Sequence, residues 1–177
     1  MVAKEAEEET LSYSKIAGDF GEHLVGVLLA KRGIAVAHAP MEGFDLIALD
    51  KRGVLLTKDK LIGISVKTRL LKDNEYSAHT IQTGADQANK AARIWQAEPW
   101  LAVVCGSVGY TLEAFLLPYS VSQNFRGKTR SSGLVSVTAL RDDNSGTVRK
   151  LLSELRFVAS EWLSITDMQE RLMNRIK

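Results

Sequence analysis

Two apolar runs, Leu101-Ala102-Val103-Val104-Cys105 and residues 111–117, are separated only by Gly106-Ser107-Val108-Gly109-Tyr110, and Pro118 follows the second. Unbroken runs of this length between turn residues read as the two strands of a hairpin buried in a sheet. A sheet buried at its centre needs helices packed against it, and this chain carries the spacing for them.

Ser14 is a candidate N-cap for a helix over residues 15–31 that stops at Gly33. Its main apolar face is Ile16, Phe20, Leu24, Val27 and Leu28. Val25, Gly26 and Leu29 lie opposite, so the second half is apolar nearly all round, with Glu22 at the lip. Residues 85–98 return to helical spacing through Ala85, Ala88, Ala91, Ala92 and Trp95, and Pro99 ends that pattern. Between the helices, residues 34–39, 45–49 and 61–68 read as strands, with a break over 40–43 and with 54–56 extending the hairpin. Residues 69–83 read as a polar loop and 134–140 as an edge strand. After Asn144-Ser145-Gly146, the positions Val148, Leu151, Leu152, Leu155 and Val158 keep a helical stripe. A second short helix is signalled by Thr166 and Gln169, a capping box.

This order predicts an α/β fold with a mixed sheet flanked by helices, plus C-terminal helices. The 177 residues, 19.5 kDa, 45% hydrophobic and with 3 prolines, suffice for one self-supporting core. The expected organisation is a single domain over 1–177: an acidic leader 1–13, a core 14–120, and a strand and helical extension 121–177. The single cysteine, Cys105, reads as a small core residue in a reducing compartment. Glu5, Glu7, Glu8 and Glu9 near the start are unlike a signal peptide, and no apolar stretch is long enough to span a membrane, so a cytoplasmic protein is expected.

A net charge of +2 does not by itself announce a nucleic-acid partner. Local clusters do more: Arg126, Lys128 and Arg130 have no acid among them over 120–133, and Lys67, Arg69 and Lys72 form a second group. These are candidate phosphate contacts, although such clusters are commonly just solvated surface. Gln82, Gln87 and Asn89 are placed to reach a strand bound nearby. His23, His38 and His79 lack metal-ligand spacing, and no glycine pattern makes a phosphate loop.

The residues that could carry chemistry are Glu22 on the first helix, Asp45 opening the second strand, and Ser65-Val66-Lys67 on the third. Pairing of those strands would bring Asp45 near Lys67, with Glu22 packed alongside. Two carboxylates that hold a hard cation and an ammonium that stabilises developing charge suit phosphodiester hydrolysis. The plainer readings are a solvated Lys67, an Asp45–Lys67 ion pair, and a Glu22 that favours the helix dipole.

The stretches Gly21-Glu22-His23-Leu24-Val25, Gly43-Phe44-Asp45-Leu46-Ile47-Ala48 and Ile64-Ser65-Val66-Lys67-Thr68 resemble the PD-(D/E)xK nuclease superfamily, in particular its resolvase-like and homing-endonuclease-like branches. The resemblance spans about residues 14–120 and implies a restriction-endonuclease-like αβββαβ core. It implies Asp45 as principal metal carboxylate, Glu22 as the helix carboxylate of the metal shell, the Val66 carbonyl as a further ligand, and Lys67 as the catalytic lysine. Ser65 stands where the family has an acid or Gln, and would orient a water or bond a ligand carboxylate. The implied function is a Mg²⁺- or Mn²⁺-dependent endonuclease acting on nucleic acid, DNA foremost, as a homodimer. Arg69, Lys72, Gln87, Arg126, Lys128 and Arg130 would contact the strand. Ser65 favours an alternative, a nuclease fold that no longer cleaves and binds nucleic acid or a protein. A third reading is a protein-interaction domain working through its C-terminal helices.

Overall fold

The structure, a computed structural model, describes residues 2–71, 80–107, 111–126 and 133–156. The helix α1 runs Val2–Ala30. It therefore starts earlier than expected, and Ser14 lies within it, because the leader is built from alanine, glutamate, lysine and leucine, all strong helix formers. Three strands follow, β1 (Ala35–Met41), β2 (Phe44–Leu49) and β3 (Leu61–Leu71). A short strand β4 (Thr80–Gln82) and the helix α2 (Ala85–Trp95) lead to the expected buried hairpin, β5 (Glu98–Ser107) and β6 (Thr111–Pro118).

The main sheet has the order β1-β2-β3-β5-β6-β8, where β8 is Arg149–Arg156. Among the described strands only β3 and β5 pair in parallel, as α2 permits by crossing between them. The fold is thus α/β, with a mixed six-stranded sheet and helices packed against it, as expected. Phe20, Leu24, Val25, Leu28 and Leu29 of α1 cover one face, against Leu46, Ile62, Ile64, Ala102 and Leu116. Ala88 and Ala91 of α2 cover the other, against Leu101, Val103, Phe115 and Leu117. Cys105 lies in that second core; burial first, then the Glu113 charge, pushes its thiol up to about 12. No helix among the described residues is long and apolar enough to cross a membrane.

The C-terminal part departs from the sequence pattern. Beyond α3 (Tyr119–Ser122) and a 3-10 turn over Gln123–Phe125, the strand expected at 134–140 stops early. It is β7 (Leu134–Ser136), which pairs with β4 in a separate ribbon, and then α4 (Val137–Arg141), capped by the Ser136 side chain. The helical stripe expected from Val148 onward is instead the edge strand β8. Its pairing with β6 slips twice, so that Ala114 faces Leu152 while Phe115 faces Lys150. A bulge lets consecutive residues share a face; Leu151 and Leu152 both pack on the α1 side, and the resulting spacing imitates a helix. The calls on residues 157–177, including the second helix, lie outside the described residues. Arg32 ties this edge down by donating to the Leu28 and Leu151 carbonyls.

Residues 54–56 do not extend the hairpin. They wrap around Asp50, 1% exposed, whose Oδ1 accepts from the Arg52 and Gly53 amides and whose Oδ2 accepts from those of Leu55 and Leu56 at 2.9 and 3.2 Å. Burial alone would raise this carboxyl, but the four amide donors outweigh it and hold it below its ordinary value. Its stabilising contribution is thus present above the unfolded value near 3.8 and lost as pH falls through the lower folded value. Replacing Asp50 by Ala leaves those amides without their acceptor, at a cost of about 1–3 kcal/mol at neutral pH. Urea unfolding across a pH series checks this, with parent and variant converging in acid.

Candidate active site

The ladder between β2 and β3 runs from Leu49↔Leu61 to Leu46↔Ile64. One further step would set Asp45 opposite Ser65, but β2 rolls over at that residue. By alternation Phe44 belongs with Leu46 and Ala48 against α1, yet it packs in the core on the other face. Its ring lies on Gly63, where a side chain would overlap it. Half-buried Asp45 turns to the freed edge of β3, and its Oδ2 accepts the Val66 amide at 2.6 Å. The N–H and C=O of a strand residue point to the same side. The Val66 carbonyl therefore opens on that edge too, beside Asp45.

Glu22 arrives from the α1 side. The helix can lie close to β3 because Gly21 sits directly on Thr68, whose Oγ1 a methyl at Gly21 would overlap. That hydroxyl oxygen is buried and has no hydrogen-bond partner among the described residues. The contact sets the next residue, Glu22, at the strand split. Its carboxyl is held above the ordinary carboxylate value, first by burial, then by the Asp45 and Asp19 charges, while His23 and Lys67 pull less strongly the other way. Asp45 and Lys67 thus both lie within electrostatic reach of Glu22. On the outer rim His38 brings Nδ1 to 3.8 Å from Glu22 Oε2, and its ring centroid is 4.8 Å from that of His23. The fold joins two histidines that look unrelated in sequence.

Lys67 is half-buried and points to the α2 face, like Ser65 two residues before it. Its Cε and Nζ lie 3.6 and 3.8 Å from where a Cβ on Gly84 would stand. Gly84 is the N-cap of α2 at φ 69°, a left-handed conformation that suits glycine. Thr83 holds it in place. The Thr83 amide and hydroxyl donate to the Gly133 carbonyl at 2.8 and 3.1 Å, and its carbonyl accepts the Tyr119 hydroxyl at 2.6 Å. Ser65, 4% exposed, also bonds Tyr119; with the phenol proton given to Thr83, Ser65 is the donor. Burial chiefly, and the Asp45 charge, push the phenol up to about 12 against the pull of Ser65. Ser65 is thus buried against Tyr119 on the α2 side of the sheet. Tyr119 and Thr83 were not foreseen; the only sequence signal was a glycine immediately before a helix.

Arg69 is exposed on β3, Gln87 exposed in the first turn of α2, and Arg126 half-buried after the 3-10 turn. Gln82, Gln87, Asn89 and Arg126 line a cleft of about 730 Å³ whose rim includes Gly84. Lys72, His79, Lys128 and Arg130 lie outside the described residues.

Among the described residues no group of three or more His, Cys, Asp or Glu side chains is placed to hold a metal ion. The donors at the split are two carboxylates and a main-chain carbonyl, all hard oxygens. Such a set fits a Mg²⁺ that keeps several waters and does not make a closed cage. The repulsion that raises Glu22 is one that a cation would relieve.

No protein-family model matches the sequence, and no curated protein matches it. Among solved structures the chain is similar to the Holliday junction resolvase Hjc of Archaeoglobus fulgidus, with 16% identity and a TM-score of 0.43 over 69% of this chain and 85% of that one.

Two consequences are measurable. Gly21→Ala should cost about 1–3 kcal/mol by forcing α1 off β3, and adding Thr68→Ala should recover much of that loss in denaturant unfolding. Asp45→Asn should lower the Glu22 pKa, because it removes a like charge; an NMR titration of the Glu22 side-chain carboxyl reads the shift.

Proposed function

We propose that this chain is a metal-dependent endonuclease that hydrolyses phosphodiester bonds in nucleic acid, DNA foremost. The observation that carries the reading is the convergence of Glu22, Asp45 and Lys67 where β2 leaves β3, beside a backbone edge freed from the ladder. Asp45, Glu22 and the Val66 carbonyl would hold Mg²⁺ or Mn²⁺. When bound, such an ion polarises a phosphoryl oxygen and lowers the pKa of a water. The Val66 amide fixes the carboxylate of Asp45, and Lys67 stabilises negative charge developing on the phosphate. Ser65 acts through Tyr119, whose hydroxyl it steadies near Asp45. Arg69, Lys72, Gln87, Arg126, Lys128 and Arg130 would hold the strand, and two copies of this single domain would serve two strands.

A second reading, a nuclease fold that binds without cutting, is favoured by one observation: the position of the missing acid is a buried serine bonded to Tyr119. The test is divalent-dependent cleavage of supercoiled plasmid, flapped and four-way-junction DNA, and structured RNA. Asp45→Asn and Lys67→Ala should each lower cleavage by about 10²-fold or more. A folded parent that cuts nothing, yet binds with affinity falling steeply as salt rises, would establish the second reading instead.

A further inference from the structure

We propose that the cleft beside Lys67 receives an unpaired nucleotide, so that the preferred substrate is a strand with an unpaired base next to the cut. This rests on the endonuclease reading of the neighbouring site. The cleft, about 730 Å³, falls in the range of clefts that enclose small organic molecules, ~300–1,000 Å³. Among the described residues its lining carries four primary amides, Gln82, Gln87, Asn89 and Gln123, with one cation, Arg126, and one acid, Asp86. Amide side chains present donors and acceptors together, as nucleobase edges do.

A cation stands beside the cleft as well, since Lys67 lies against Gly84, one of the lining residues. A phosphate held at Lys67 would leave the adjoining nucleoside to enter the cleft. A base in a duplex is stacked on both faces and paired along its edge, so it enters such a recess only when it is already free or is flipped out. A strand with a flap, gap or bulge meets that condition at no cost in broken pairs.

The test uses the full chain with Mg²⁺ or Mn²⁺ and two DNAs of one sequence, fully paired and with a short flap. The flapped DNA should be cut about tenfold faster in kcat/KM. Gln87→Ala combined with Gln123→Ala, both at exposed positions, should bring that ratio down towards unity. Equal cutting of both DNAs by the parent overturns the cleft proposal while leaving the endonuclease reading intact, and an unchanged ratio in the double variant overturns it as well. If the parent cuts neither DNA, the endonuclease reading fails, and fluorescence anisotropy with the same DNAs decides the cleft. Tighter binding of the flapped form that the double variant loses supports it; equal binding overturns it. Competition by dAMP as effective as by the flapped strand would identify a free nucleotide as the ligand and overturn the strand assignment.

Discussion

A strand amide that loses its ladder partner must find another acceptor, because a buried unpaired N–H is costly. At Val66 that acceptor is the carboxylate of Asp45, which takes the place a β2 carbonyl would hold in an unbroken hairpin. A charged acceptor makes the stronger bond, so the exchange stabilises the opening between β2 and β3. Everything distinctive about the site follows from that opening. It turns the Val66 carbonyl outward, and it brings Glu22, from one face of the sheet, within electrostatic reach of Asp45 and of Lys67 from the other. A continuous ladder would have kept those two side chains on opposite sides of a closed layer.

Two close approaches set how far apart the pieces stand. Phe44 on Gly63 anchors the rolled end of β2 in the core beneath α2, and Gly21 on Thr68 lowers α1 onto β3 one residue before Glu22. Both depend on a missing side chain where a large element must approach, and packed interiors do not give way to added atoms without strain. The position of Glu22 is thus fixed by the packing of a whole helix, whose Phe20, Leu24, Val25, Leu28 and Leu29 are all buried. Among the described residues its own carboxylate is met only by the distant approach of His38 at 3.8 Å.

The candidate site residues stand out in the sequence because their types are unusual in their settings: an acid opening a strand, a lysine following an apolar one, an acid beside the apolar face of a helix. The buried hairpin was legible from its unbroken apolar runs. What the sequence concealed was produced by pairing at a distance. The bulges in β8 disguise a strand as a helix, since Leu151 and Leu152 face one core only through slippage against Ala114 and Phe115. The link from Ser65 through Tyr119 to Thr83 and Gly84 joins three separate segments. No local rule connects a tyrosine after Pro118 with a helix cap at 84. The pairing of His23 with His38 is hidden for the same reason, as one lies on α1 and the other on β1.

The serine at 65 changes the electrostatics of the site rather than merely subtracting from it. Its hydroxyl faces Tyr119 in a buried wall, and that phenol is kept protonated near Asp45. An acid at 65 would place a third negative charge in the same wall, against Asp45, and would raise Glu22 further. With two carboxylates, the split has less repulsion to overcome and less attraction for a cation. On the endonuclease reading, the missing negative oxygen must then come from the strand itself, through its phosphate. Cation and strand would each bind more tightly in the presence of the other, and by thermodynamic reciprocity to the same degree. A site built in this way is loaded chiefly when substrate is present, which separates it from one whose protein carboxylates alone retain the ion.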